Sequence, residues 1–389
     1  MGVERSGMRI AIISDLTNWT WAGCEELWAA LAYRALKSGH KVSVFLCRQK
    51  TAHHRMQPLL DMGLDLHAPG TGAALVDRAR KLSWRLGDAI APLFPLFTAL
   101  DKLSPDVVLI SAGDAIPNAV FLSQLKRSNA LRWPYVLVCH NSHLFERPID
   151  EAARAEAARY YLGARRALFV AERTRMEVEH LLAVKLPRSE IVRNPVNMED
   201  TSMLPMPAAS TVGIACLGRL AINSKGQDML LAALGGPSFR GCDWHLSIYG
   251  EGRDANHLLL LARHYGISDR VAIKGYANDV RAIWAENHVL ALPSRVESAP
   301  LVVVEAMLCG RPSIVNDVGG VTEWISEPET GFVSAGLNIP SFEAALERAW
   351  SARSEWTRIG MRANEKARRL IDPDPGGTLL RLMAEAAAG

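Results

Sequence analysis

Residues 295–323 read RVESAPLVVVEAMLCGRPSIVNDVGGVTE. Two carboxylates, Glu297 and Glu305, bracket seven residues, and Pro300 stands where a helix would begin. Proline suits a first helical turn because the N–H it lacks would be unpaired there anyway. The run Leu301-Val302-Val303-Val304 is ambiguous alone, since a short apolar run fits a buried strand as well as a helix. The punctuation decides for a helix. Glu305-Ala306-Met307-Leu308 are good helix formers, Gly310 fits the position just past the end, and Pro312 blocks continuation. Ser313–Asn316 then reads as a buried strand, followed by a loop carrying Gly319 and Gly320 and a short helix opened at Glu323.

Chemistry follows from that arrangement. The first N–H groups of the helix, on Leu301, Val302 and Val303, lie at the positive end of its dipole, which suits a phosphate or diphosphate. Carboxylates beside an anion site repel the anion, so Glu297 and Glu305 suit vicinal hydroxyls of a sugar or ribose. The plain alternative is a surface helix with solvated glutamates.

Upstream, Val212–Leu217 is a strand ending in Gly218-Arg219, and Lys225-Gly226-Gln227-Asp228 leads into a helix through Met229, Leu230, Leu231 and Leu234. Two cations, Arg219 and Lys225, flank this strand-to-helix turn. Arginine can grip a pair of oxygens and lysine adds a point charge, a combination suited to a diphosphate. Trp244–Tyr249, Arg270–Lys274 and Val289–Leu292 read as further strands, the last leading into the quoted stretch. Ser341–Trp350 and Trp356–Leu370 read as amphipathic helices.

Glu-x7-Glu, then EAM-x-x-G-x-P and GG-x-x-E, resembles the donor-binding signature of the retaining glycosyltransferases of family 4. The likeness is strong over Val212–Leu370 and looser over Met8–Pro195. It implies the GT-B fold: α/β, with two Rossmann-like doubly wound domains facing across a cleft. Residues 1–200 are then the acceptor-binding domain and 201–389 the nucleotide-sugar-binding domain, with the last helix crossing back. By the same likeness, Arg219 and Lys225 stabilise the leaving diphosphate after Gly218, Glu305 binds the nucleotide ribose and Glu297 the donor sugar. Tyr276 begins the loop against the base, and Ala299, Pro300, Leu301 and Val302 form the backbone part of the donor site. Family members often carry Phe-Gly where this chain has Ala299-Pro300, so sugar selectivity does not transfer.

In the first half, Arg9–Ser14, a helix over Glu25–Lys37 and a strand Val42–Leu46 open a doubly wound domain. A dehydrogenase would show G-x-G-x-x-G after the first strand, and here only Gly23 is present. Many family members have paired glycines in this loop, where backbone approaches donor phosphate and acceptor; Ala22-Gly23 stands in that place, and a simple turn glycine is the alternative. Pro105–Ala112 and Pro134–Cys139 are further strands, and His140 follows the second of them. Ligands in open α/β sheets bind at the carboxyl ends of strands. The resemblance places His140 near the sugar's primary hydroxyl, with His143 as competitor and a structural histidine as the alternative. Cys139, His140 and His143 match no common zinc spacing. A helix over Glu151–Arg166, a strand Ala167–Glu172 and a helix Arg175–Val184 follow, and Met203–Ser210 reads as the hinge.

Composition narrows the classes further. The 389 residues carry a net charge of +3, without the concentrated basic face that nucleic-acid binding needs. Six scattered cysteines without a C-x-x-C pair read as reduced core residues of a cytoplasmic protein. There is no signal-like segment and no window of 18 apolar residues. Arg78, Arg80, Lys81 and Arg85 beside Trp84 suit peripheral contact with the inner face of a membrane and a lipid-linked acceptor, but Pro92 and Pro95 break a long amphipathic helix and favour a solvated face.

The expectation is transfer of a sugar from a nucleotide diphosphate donor to an acceptor hydroxyl, on a glycan, a lipid or a small molecule, with retained anomeric configuration. No cofactor and no metal are expected, the donor being a co-substrate. An epimerase of the same fold, or a nucleotide-sugar-binding protein without turnover, are the competing readings.

Overall fold

The computed structural model describes residues 7–14, 21, 23–46, 50–67, 96–116 (backbone alone for 96–99), 132–142, 151–277 and 279–389. Ala22, His143 and the basic stretch Arg78–Arg85 lie outside the described residues. The chain forms two compact units, residues 1–195 with 372–389, and residues 196–371.

The first unit is built on strands β1 (Arg9–Ser14), β2 (Lys41–Phe45), β3 (Asp65–His67), β4 (Val107–Ala112), β5 (Tyr135–Cys139), β6 (Arg166–Phe169) and β7 (Ser189–Ile191). All pairings are parallel and the order is β3-β2-β1-β4-β5-β6-β7. A parallel sheet needs cover on both faces, so its strands are apolar throughout. Strand alternation sorts them: Ile10, Ile12, Val42, Val44, Val107 and Leu109 pack with Leu27, Trp28 and Leu31 of the Gly23–Lys37 helix. Ala11, Ile13, Val108 and Ile110 face the other core, beside Ala157, Tyr160 and Val178 of the Glu151–Gly163 and Glu172–Leu182 helices.

The last helix, Pro375–Ala388, completes the first face through Leu379, Leu382 and Met383. Asp374 caps it by accepting from the Gly377 N–H at 3.0 Å, and Arg34 Nε donates to the same carboxylate at 2.9 Å. Gly376 is required there because a Cβ would sit 2.4 Å from the Ala30 carbonyl oxygen.

The second unit repeats the plan with β8 (Val212–Leu217), β9 (Trp244–Tyr249), β10 (Val271–Gly275), β11 (Val289–Leu292), β12 (Ser313–Asn316) and β13 (Gly331–Ser334), in the order β10-β9-β8-β11-β12-β13, all parallel. The Leu301–Leu308 helix covers one face with Val303, Val304, Met307 and Leu308. The Gln227–Leu234 helix covers the other with Leu230, Leu231 and Leu234. The Trp356–Leu370 helix crosses close behind Leu308: Asn364 Nδ2 donates to the Leu308 carbonyl, and Gly360 lies against Gly310.

Two boundaries differ from the sequence reading. The chain passes between units at Pro195/Val196 rather than after residue 200, because Val196 and Met198 already pack on the second unit's core. Met203–Ser210 is not a free hinge either. Arg311, fully buried, donates to the carbonyls of Leu204 (3.2 Å), Pro205 (2.6 Å), Trp284 (2.9 Å), Asn287 (2.9 Å) and Cys309 (3.0 Å). Its burial pulls the guanidinium down to about 10, and the carbonyls hold the early part of that segment against the second unit.

Candidate active site

In both sheets the strand order reverses direction at one point, between β1 and β4 and between β8 and β11. Loops leaving neighbouring strands there run to opposite faces and open a crevice at the carboxyl ends, the standard ligand position in such sheets. Gly218 and Arg219 leave β8, and Pro293–Glu297 leave β11, so the site predicted in the second unit falls at its switch point.

Lys225 ends a short turn of helix, Ile222–Lys225, after the β8 loop. Its stem runs over Gly218, whose Cβ, if present, would lie 3.5 Å from Lys225 Cδ. Its Nζ donates to Glu297 Oε1 at 2.5 Å, with the two side chains 19% and 10% exposed. Ser294 Oγ donates to the same oxygen at 2.8 Å. The sequence reading gave the lysine and the glutamate separate partners, whereas the fold makes them a pair.

Several contacts weld the two loops. The Arg295 and Val296 N–H groups donate to the Ser224 carbonyl at 2.8 and 3.1 Å. Arg295 Nη1 and Nη2 reach Asp228 Oδ1 and Oδ2 at 2.7 and 2.8 Å, and Nη1 also donates to the Ile222 carbonyl at 2.5 Å. Gly226 turns with φ +64° where a Cβ would stand 2.0 Å from the Pro293 carbonyl oxygen. Buried Asn316, at the end of β12, donates to the Pro293 and Ser294 carbonyls at 2.8 and 3.0 Å. On the β8 side, buried Gln227 donates to the carbonyl of Arg219, an exposed residue, at 2.8 Å.

The glycine pair predicted as a loop packs behind Glu297. Gly319 has φ +53° and a Cβ there would lie 2.2 Å from the Glu297 carbonyl oxygen, while the Gly320 N–H donates to the Ser298 carbonyl at 2.6 Å.

Ala299 and Pro300 precede the Leu301–Leu308 helix, with Pro300 as N-cap. Leu301 and Val302 are half-buried at its opening. The Val303 N–H is not open to a ligand as expected: it donates to the Pro300 carbonyl at 3.1 Å, as the first turn tightens. Glu305 is 6% exposed, and burial pushes its carboxyl up to about 7, against a stabilising bond from the Asn197 N–H. Tyr276 is 69% exposed just past β10, two strands from β8.

The first unit holds its own polar cluster at strand ends. His140 follows β5, is almost fully buried and meets Ser111 Oγ through Nε2 at 3.1 Å. Burial lowers its imidazole to about 4, so it is neutral at pH 7 and can act as a hydrogen-bonding group rather than a charge. Ser14 stands opposite Ser111 in the register of β1 and β4. Lys50, fully buried, donates to Ser14 Oγ at 3.1 Å and to the equally buried Glu25 at 2.5 Å. Gly23 opens the helix that carries Glu25. Sequence reasoning missed this pair, since Lys50 belongs to no motif and sits outside the apolar pattern.

Among the described residues no cluster of His, Cys, Asp or Glu could hold a metal ion. No described helix is long and apolar enough to cross a membrane. The described cysteines are unpaired; burial raises Cys139 and Cys216 to about 12 and Cys309 to about 11.

Comparison with known proteins bears on both units. Residues 21–200 match the model of Glycosyltransferase Family 4, and residues 211–352 that of Glycosyl transferases group 1. Over 124 residues the chain is 34% identical to an uncharacterized glycosyltransferase of Haemophilus influenzae, an alignment covering 32% of this chain and 35% of the relative. Over 223 residues it is 27% identical to the alpha-D-kanosaminyltransferase of Streptomyces kanamyceticus, covering 54% and 57%. The chain thus spans between about a third and somewhat over half the length of these curated relatives. In three dimensions it is similar to the lipopolysaccharide outer core galactosyltransferase WaaB in its apo form, with TM-score 0.71, 19% identity, and 97% and 99% of the two chains covered. Anabaena HepE in complex with UDP gives TM-score 0.74, 16% identity, and coverage of 98% and 100%. The structural likenesses establish the fold, GT-B, and the two sequence models cover most of both units. The chain belongs to the glycosyltransferases of family 4, with a group 1 glycosyl transferase domain as its second unit.

Proposed function

We propose that this protein transfers a sugar from a nucleoside diphosphate donor to an acceptor hydroxyl, with retention of anomeric configuration. The observation that carries the reading is the Lys225–Glu297 pair at the β8/β11 switch point, next to the head of the Leu301–Leu308 helix.

The chemical difficulty is charge, because the sugar becomes oxocarbenium-like while the diphosphate departs. A fixed cation where the negative charge grows lowers that barrier more than one that must reorganise. Lys225 would be such a cation, since Glu297 fixes one N–H of its ammonium and the others can turn to a phosphate oxygen. Arg219, at the end of β8, would grip a pair of the phosphate oxygens. Leu301 and Val302 would add their N–H groups. Lys225 and Ser294 both donate to Oε1 of Glu297, so Oε2 would accept from a donor-sugar hydroxyl. Glu305 would accept from the ribose; two hydroxyl donors would favour its ionised form and offset part of the burial cost.

In the first unit, neutral His140 suits a sugar hydroxyl at the strand ends. Front-face attack, with a donor phosphate oxygen taking the acceptor's proton, would retain the configuration without a protein nucleophile. The cations do the work that a divalent ion would otherwise do. HepE is described in complex with UDP and with UDP-glucose, which makes uridine donors the first to test.

The test is a panel of nucleotide sugars incubated with the protein, following nucleoside diphosphate release and, with acceptors added, the product anomer by NMR. Release with a retained product is expected. An inverted product removes the retaining mechanism, epimer formation without release points to an epimerase, and binding without turnover reduces the protein to a binder.

A further inference from the structure

The second unit holds a third cation beside the proposed donor site, and a bidentate carboxylate takes up its guanidinium fork. Arg295 precedes Glu297 by two residues, and its guanidinium makes a bidentate pair with Asp228 at 2.7 and 2.8 Å. Nη1 also reaches the Ile222 carbonyl, inside the turn that ends at Lys225. Through its own N–H, Arg295 donates to the Ser224 carbonyl, immediately before Lys225. Asp228 belongs to the Gln227–Leu234 helix, which begins after Gly226. One side chain therefore ties the loop bearing Glu297 both to the turn bearing Lys225 and to the helix behind it.

We infer that Arg295 and Asp228 are a positioning pair that sets the separation and orientation of Lys225 and Glu297 in the donor site. The inference rests on the function proposed above. Its physical basis is rigidity. A lysine stem has four rotatable bonds, so the place of its ammonium depends on where its backbone is held and on what receives it. The fork geometry of a bidentate arginine fixes direction as well as distance, which a lysine at position 295 could not do. Because Asp228 engages the guanidinium, Arg295 holds the site together without competing with Lys225 for the diphosphate.

The experiment compares Arg295→Ala, Arg295→Lys and Lys225→Ala with the double variant Arg295→Ala/Lys225→Ala. The assay is donor hydrolysis, with UDP-glucose, GDP-mannose and ADP-glucose as probes, and thermal midpoints are measured alongside. A displacement of about 1 Å can cost about a hundredfold in rate. Arg295→Ala should lower kcat by about that factor, with donor KM changed less than about threefold. In the Lys225→Ala background the same substitution should cost clearly less, under about tenfold, since only Glu297 is left for it to position. Arg295→Lys, which keeps the charge and spares the fold should the alanine variant unfold, should restore only part of kcat.

Equal losses in both backgrounds, or full activity of Arg295→Lys, would overturn the positioning role while leaving the proposed function standing. Unchanged kcat in Lys225→Ala removes Lys225 from the mechanism and the inference with it. A wild-type protein that releases no nucleoside diphosphate from any of the three probes overturns both.

Discussion

Replacing Glu305 with Gln isolates one buried carboxyl in both stability and binding. In the folded protein burial raises it from about 4.5 to about 7. A raised carboxyl means that between these values the folded state holds a proton the unfolded state has already released. Stability therefore falls as pH rises from about 4.5 to about 7 and stays level above. At about 1.4 kcal/mol per unit, the ionised carboxylate costs the fold about 3 kcal/mol at pH 8. The Gln variant keeps the volume and can still accept from the Asn197 N–H, but carries no charge. It should match the wild type near pH 4 and be more stable by up to about 3 kcal/mol at pH 8. For a unit of this size that is a gain of ~6–12 °C in thermal midpoint.

Binding should move the other way. Losing a charged acceptor for the ribose costs about 1.5–3 kcal/mol, or about 10- to 100-fold in nucleoside diphosphate affinity. Wild-type affinity should be about tenfold weaker at pH 6 than at pH 8, because the ionised form is the binder, and the variant should lack that dependence. Calorimetry with UDP and GDP, beside thermal melts from pH 4 to 8, reads both effects. A midpoint difference that does not change with pH refutes the raised carboxyl. Unchanged affinity in the variant refutes the ribose role.

Other expectations are simpler. Lys50→Met should destabilise the first unit by about 3–5 kcal/mol, since it leaves Glu25 charged and buried without its cation, and Lys50→Met/Glu25→Met should recover much of that in denaturant titration. Gly319→Val should abolish donor turnover, because its Cβ would drive into the Glu297 carbonyl and its φ is left-handed; a variant that turns over normally removes the glycine loop from site geometry. EDTA should leave the rate of nucleoside diphosphate release unchanged, and a loss restored by a divalent ion would overturn the metal-free mechanism.

Much of the second unit was legible from local pattern. Strands β8, β9, β11 and β12 lie where buried apolar runs predict them, and the Leu301–Leu308 helix begins and ends where Pro300 and Gly310 mark it. Capping, glycine conformation and apolar runs act over a few residues, so they are written in the sequence. The first unit was read less sharply at its strand edges: the predicted strand Ala167–Glu172 is Arg166–Phe169, and the following helix begins at Glu172 rather than Arg175. Element ends depend on partners, which a local window does not contain.

By itself, then, the sequence determined two doubly wound units and the spacing of Arg219, Lys225, Glu297 and Glu305. Only the tertiary structure decided what those residues do to one another. Lys225 and Glu297 are 72 positions apart, and their pairing follows from β8 and β11 lying side by side at the switch point. The same adjacency brings Arg295 to Asp228, as the first unit brings Lys50 to Glu25. Nothing in the local pattern distinguishes a buried arginine or lysine that is paired from one that is solvated, because burial and partner are set by which strands the fold makes neighbours.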